Sequence, residues 1–135
     1  MANKYRRILV IEDDVLLQSV LLEVLHRIDG SFELTWVKSV DAAWDKMNEG
    51  KKFDLIIADV MLEGKLTGID FWRTLGTRDR STPLVLISSC SEYEVLRTID
   101  EIGSETGLGA PAFIPKPLRL GECRQVLEGV LKYAS

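Results

Sequence analysis

Three short, uninterrupted apolar runs constrain what this chain can fold into more than any other feature. Ile8 to Ile11, Leu55 to Ala58 and Leu84 to Ile87 are each too short for a helix. They also lack the polar alternation of a strand with one wet face, so they read as strands buried on both sides. Two weaker candidates complete a set of five. In Phe32 to Val37, Phe32, Leu34 and Trp36 alternate with Glu33 and Thr35, and Ala112 to Ile114 ends against a proline.

The segments between these strands carry helical spacing. Leu17, Leu21, Val24 and Ile28 form one apolar stripe, and Val40, Ala43, Trp44 and Met47 form a second. Further helices are expected at about Gly68 to Leu75, at Glu92 to Ile102 with Leu96, Ile99 and Ile102, and at Leu120 to Tyr133 with Leu120, Cys123, Leu127 and Val130. Gly103 to Pro111, with glycines at 103, 107 and 109, reads as an extended loop. Strand and helix therefore alternate five times. Buried strands joined by helices imply a parallel sheet covered on both faces, because parallel neighbours need crossover connections. Ligand sites of such sheets lie at the carboxyl ends of the strands.

Composition narrows the function classes. The 135 residues are 46% hydrophobic, enough for one core without disulfides or structural metal, and one domain is expected over 1–135 with its core at about 7–132. A formal net charge of −4 gives no general attraction to nucleic acid or to an anionic membrane. No apolar run approaches the roughly 18 residues that span a bilayer, and no signal-peptide core is present, so a cytoplasmic protein is expected. Cys90, at a strand end, and Cys123, on a surface helix, form no CxxC pattern and have no histidine nearby; both are expected as reduced thiols. His26, between Leu25 and Arg27, reads as a surface residue of the first helix, and Trp36, Trp44 and Trp72 as packing residues.

The polar residues that follow the strands carry the chemistry. Glu12, Asp13 and Asp14 follow the first, Asp59 ends the third, Ser88 and Ser89 follow the fourth, and Lys116 follows the fifth. Adjacent strands lie about 4.8 Å apart, so carboxylates from neighbouring ends converge on one cation. Carboxylates without histidine or thiolate form a hard oxygen site suited to Mg2+ or Mn2+ rather than zinc. Aspartate is a competent nucleophile toward phosphorus whose oxygens bind the same ion, and Lys116 with the Ser88 hydroxyl could meet the charge developing on the phosphoryl oxygens. Each residue also has a plain structural alternative. Asp13 or Asp14 could start the first helix, Asp59 could shape a turn, Lys116 could be a solvated loop residue and Ser88 a strand terminator. Taken jointly, four strand ends supplying the parts of one reaction centre are hard to ascribe to chance.

From Ile8 to about Leu131 the chain resembles the receiver domain of two-component response regulators. The resemblance rests on ILVIEDD, DLIIADVML, PLVLISS and PKP read together. It implies the flavodoxin-like, doubly wound α/β fold, five parallel strands in the order 2-1-3-4-5 with five helices. It also implies Glu12 and Asp13 as metal carboxylates, Asp59 as the phosphoacceptor and the Met61 backbone carbonyl as a further ligand of Mg2+ (or Mn2+). By the same resemblance Lys116 contacts the phosphoryl group, Pro117 follows a cis bond, and Ser88 and Phe113 form a switch. The implied partners are a sensor histidine kinase or phosphotransfer protein, and a downstream protein target on the face of the fourth helix and fifth strand. Nucleic acid and membrane are not expected as partners of this chain alone.

Two departures from the common pattern stand out. Glu63 replaces a frequent proline after Asp59, in a loop one residue longer than the shortest. The Ser88 to Lys116 segment is several residues long, the excess falling near Gly103 to Pro111. The expected activity is self-phosphorylation from donors and slow dephosphorylation, since Met61 and Cys90, at the positions that tune attack by water, offer no strong general acid or base. A metabolic enzyme is not expected. The competing readings are a phosphorylation-independent docking scaffold with a receiver-like fold and an FMN carrier; the acidic EDDV after the first strand opposes the latter. Both a stand-alone receiver and a piece of a longer regulator or hybrid kinase are compatible with this reading.

Overall fold

In the computed structural model, the described residues are 6–28, 31–50, 52–62, 67–78, 81–89 and 92–134. Strands β1 (Arg6–Ile11), β2 (Phe32–Val37), β3 (Leu55–Asp59), β4 (Leu84–Ser88) and β5 (Ala112–Pro115) alternate with helices α1 (Leu16–Ile28), α2 (Val40–Asn48), α3 (Thr67–Arg78), α4 (Glu92–Thr106) and α5 (Leu120–Ala134). The sheet is parallel throughout, in the order β2-β1-β3-β4-β5. The apolar runs predicted the five parallel strands, and the order is the doubly wound one that the resemblance implied.

Alternation along the buried strands divides the core in two. Leu9, Ile11, Ile56, Ala58 and Leu86 pack on one face with Ile69, Leu75, Val95 and Ile99 from α3 and α4. Ile8, Val10, Ile57, Val85, Ile87 and Ile114 pack on the other with Leu21, Val24, Leu25, Cys123 and Leu127 from α1 and α5. Each fully buried aliphatic side chain contributes about 1.5–3 kcal/mol of transfer free energy, so the central strands are the main source of stability. Helix ends follow local chemistry. Ser39 caps α2, its Oγ accepting from Ala42 N at 3.1 Å, and Gly50 leaves that helix at a φ of 87°.

The structure corrects four expectations. Residues 103–106 are not loop: α4 runs through Thr106, so part of the extra length is an additional helical turn. It ends at Gly107, whose N–H donates to Gly103 O at 2.8 Å and whose φ of 77° suits glycine. Leu108 then returns to α3. On α4 the residue facing the core is Val95 in place of Leu96, which is 42% exposed, and on α5 Leu120 is 51% exposed while Cys123, Leu127 and Leu131 are buried. Leu96, one position on from Val95, is turned about 100° around the helix from the face that meets the core, and Leu120 is the opening residue of α5. Cys123 is thus a core residue on the inner side of its helix, with burial pushing its thiol up to about 11.

His26 is exposed, with its ring 4.9 Å from that of Phe32. Trp72 is buried and Trp44 packs against Phe71 beneath Arg78, as packing residues should. Glu63 and Cys90 lie outside the described residues. No helix among the described residues is long and apolar enough to cross a membrane.

Candidate functional site

The strand register brings the polar ends together. Ile11 pairs with Ala58 and Asp59 with Ile87, which sets Glu12, Asp59 and Ser88 along one edge of the sheet. Backbone bonds continue past the strands and fix that edge: Glu12 N donates to Val37 O at 3.0 Å, Val60 N to Ile87 O at 2.8 Å and Lys116 N to Ser88 O at 2.8 Å. The Lys116–Pro117 peptide is cis.

Side chains then converge. Lys116 Nζ stands 2.8 Å from Asp59 Oδ2 and 2.9 Å from Glu12 Oε2. Met61 N donates to Asp59 Oδ1 at 3.0 Å, and Asp14 N to Glu12 Oε1 at 3.0 Å. Glu12, Asp59 and Ser88 are 0%, 4% and 0% exposed, the only buried polar or charged residues among those described. Glu12, Asp13 and Asp59 each bring a carboxylate oxygen within 4.8 Å of the others, with Asp13 on the solvent side.

The electrostatics follow from burial. Desolvation pushes the Glu12 carboxyl up, the Asp59 charge adds to this, and the Lys116 and Asp14 donors oppose it; the result is about 7. Burial alone would lower the Lys116 ammonium, but its hydrogen bond to Asp59 and its close pairing with Glu12 outweigh that and hold it above the ordinary lysine range. Glu12 Oε2 meets Lys116 only as an ion pair and has no well-directed hydrogen bond. A buried carboxylate oxygen left this way, in an all-oxygen donor set, fits a hard divalent cation.

The triplet EDD is divided by the structure. Asp14, not Asp13, begins the first helix: its Oδ1 accepts from Leu16 N at 3.0 Å and its carbonyl from Leu17 N at 3.2 Å. Asp13 is left for the cluster. Phe113 lies two residues before the partner of Ser88, and it packs with the α3 and α4 side of the core. The parity of β4 puts Ser88 on that same side. Met61 is part-exposed next to Asp59. The sequence reading overlooked Gly68, which stands against the Asp59 carbonyl at the start of α3. A glycine opening a helix was the available signal.

With this geometry in place, comparison with known proteins is decisive. The family model of the response regulator receiver domain matches residues 8–128. The chain belongs to that family. A protein-glutamate methylesterase/protein-glutamine glutaminase 1 of Hahella chejuensis is 31% identical over 121 residues, which are 86% of this chain and 30% of that protein. A probable transcriptional regulator, ycf29, of Cyanophora paradoxa is 31% identical over 126 residues, 92% of this chain and 55% of that one. The receiver domain thus spans a third to about half of these longer relatives. Among solved structures, the non-phosphorylated HemR receiver domain of Leptospira biflexa is 31% identical with a TM-score of 0.71, covering 93% of this chain and 94% of that one. A signal receiver domain from Pseudomonas fluorescens Pf-5 has a TM-score of 0.79 at 15% identity, over 99% and 92% of the two chains, and shares the fold.

Proposed function

We propose that this receiver domain accepts a phosphoryl group on Asp59 from a sensor histidine kinase or a phosphotransfer protein. The reading rests on one observation: three strand ends deliver two buried carboxylates and one ammonium to a single point, with Lys116 Nζ within 2.9 Å of both Glu12 and Asp59. Glu12, Asp13 and Asp59, with the Met61 carbonyl, would hold Mg2+ (or Mn2+), which supplies charge neutralisation to the phosphoryl oxygens when bound.

An Asp59 carboxylate oxygen forms the new P–O bond as the P–N bond to the donor imidazole breaks, the electron pair leaving with the imidazole. Lys116 and the Ser88 hydroxyl answer the charge on the equatorial oxygens. The Met61 N–H orients Asp59 by holding Oδ1, leaving Oδ2 toward Lys116.

Signalling follows from Ser88 and Phe113 sharing the α4 side. Attraction of Ser88 toward the phosphoryl group frees space that Phe113 enters, and the face of α4 and β5 shifts between two packings toward a downstream protein. The domain then works as a switch that catalyses its own phosphorylation and slow dephosphorylation.

Intact-mass analysis after incubation with acetyl phosphate and Mg2+ tests the reading. The parent chain should gain one phosphoryl mass, and neither Asp59→Asn nor chelated parent should. No gain with any divalent metal, or with a phosphohistidine donor, would leave a docking scaffold as the better account.

A further inference from the structure

The segment from Asp59 to Met61 carries much of the proposed site, and Val60 anchors its middle with a side chain fully buried in the core. Met61 N orients Asp59 Oδ1 from within that segment itself. From outside, β4 holds it through the bond from Val60 N to Ile87 O, and the first turn of α3 bears on its backbone as well. Gly68 N donates to Val60 O at 3.0 Å, and a Cβ built on Gly68 would lie 2.1 Å from Asp59 O, 2.7 Å from Val60 Cα and 2.8 Å from the Asp59 carbonyl carbon. All three are backbone atoms, with no flexible side-chain end to give way. An ordinary carbon contact is about 3.5–4.0 Å, so any side chain here separates α3 from β3 by about 1 Å.

We infer that Gly68 is a positioning residue, a backbone clamp that fixes the Asp59–Val60–Met61 segment, and with it the aim of the Asp59 carboxylate and the Met61 carbonyl. It acts through Asp59 and touches no reacting atom. The inference rests on the proposed phosphoacceptor role of Asp59, and adds that catalytic alignment is set by the absence of a side chain on α3. Among the described glycines the approach to backbone is tightest here; at Gly103 the nearest atom to a built Cβ is Leu108 O at 3.0 Å. A Cβ on Gly121 or Gly129 meets nothing within 4 Å, and one on Gly76 meets only the end of Leu108.

A displacement of about 1 Å at a reacting group costs about 100-fold in rate. Gly68→Ala should therefore phosphorylate from acetyl phosphate about 100-fold more slowly per folded molecule. Its half-saturating Mg2+ concentration, measured calorimetrically on the unphosphorylated protein, should rise at least tenfold. In metal-free buffer the Met61 amide should exchange its hydrogen at least tenfold faster, because the bond to Asp59 Oδ1 is misaligned. Gly129→Ala serves as the folding control and should match the parent in all three.

Thr67→Gly loosens the same clamp without adding a side chain, at a hydroxyl that makes no hydrogen bond. It should move the three readouts in the same direction by a smaller factor, and it carries the test if Gly68→Ala does not fold. Parental Mg2+ affinity and parental Met61 exchange in the folded variant would overturn the inference. A variant whose rate falls only in proportion to its unfolded fraction would overturn it as well. A parent that neither binds Mg2+ nor takes up phosphoryl would instead sink the phosphoacceptor reading, so the two failures are distinct.

Discussion

Lys116 Nζ meets Glu12 Oε2 at 2.9 Å, joining the end of the last strand to the end of the first across a fully buried carboxylate. Burial raises the Glu12 carboxyl from 4.5 to about 7 despite that cation. Between these two values the folded, metal-free chain keeps a proton that the unfolded chain has released. Stability must therefore fall as pH rises through this window and level off above it, by on the order of 3 kcal/mol in all. Urea unfolding at pH 5 to 8 with chelator should show this decline in the parent and a weaker one in Glu12→Gln. The same slope in both would contradict it.

Removing the Lys116 ammonium deprives Glu12 and Asp59 of the counterion they share. Lys116→Ala should bring the midpoint of that pH decline still higher, since the close pairing with the ammonium was holding Glu12 down. Acetyl phosphate should label this variant at least 100-fold more slowly, the usual cost of a lost donor to a developing oxyanion. Time-resolved intact mass measures it directly.

Ser88 is fully buried on the α4 side, where Phe113 also packs. If its hydroxyl transmits the phosphoryl signal, Ser88→Ala should still be phosphorylated, within about tenfold of the parental rate, as one net hydrogen bond is worth about 1 kcal/mol. The phosphorylation-dependent change in α4 and β5, followed by hydrogen exchange, should vanish. An unaltered exchange response would remove Ser88 from the switch.

The loop after α4 is pinned far from the acidic edge. A Cβ on Gly76 would fall 2.5 Å from Leu108 Cδ2, and Leu108 with Trp72 and Leu75 lines a cleft of about 350 Å³. Gly76→Ala should therefore destabilise by about 1–3 kcal/mol through overpacking. Placed in a Leu108→Ala background, the same change should stabilise by about 1 kcal/mol, because only helix propensity remains. Chemical denaturation of the four chains gives the coupling, and additive effects would mean that the contact is not made.

Cys123 packs beneath α5 with its thiol pushed up to about 11. Thiol reagents at pH 8 should leave it unmodified in the native protein and label it on unfolding. Mapping the modified peptide separates it from Cys90. Rapid native labelling at Cys123 would require an opening of α5 that its packing does not suggest.

The sequence by itself determined the order of elements, the parallel sheet and the residue types at its edge. A four-residue apolar run has few fates in water, and the polar residue that ends it must emerge at the edge of the sheet. The family resemblance then assigned Glu12, Asp13, Asp59, Ser88 and Lys116 to one site, and the fold places them at one edge. What remained open depended on partners distant along the chain. Asp13 and Asp14 are chemically alike until one of them accepts from the Leu16 amide. Val95 and Leu96 are alike until α4 sits on the sheet, and Gly103 looks like a loop residue until a further turn of helix closes at Gly107. The bond from Lys116 to Asp59 spans 57 residues, and the Gly68 clamp exists only where α3 meets the end of β3. Periodicity reports which side of an element is apolar; only packing decides what that side touches.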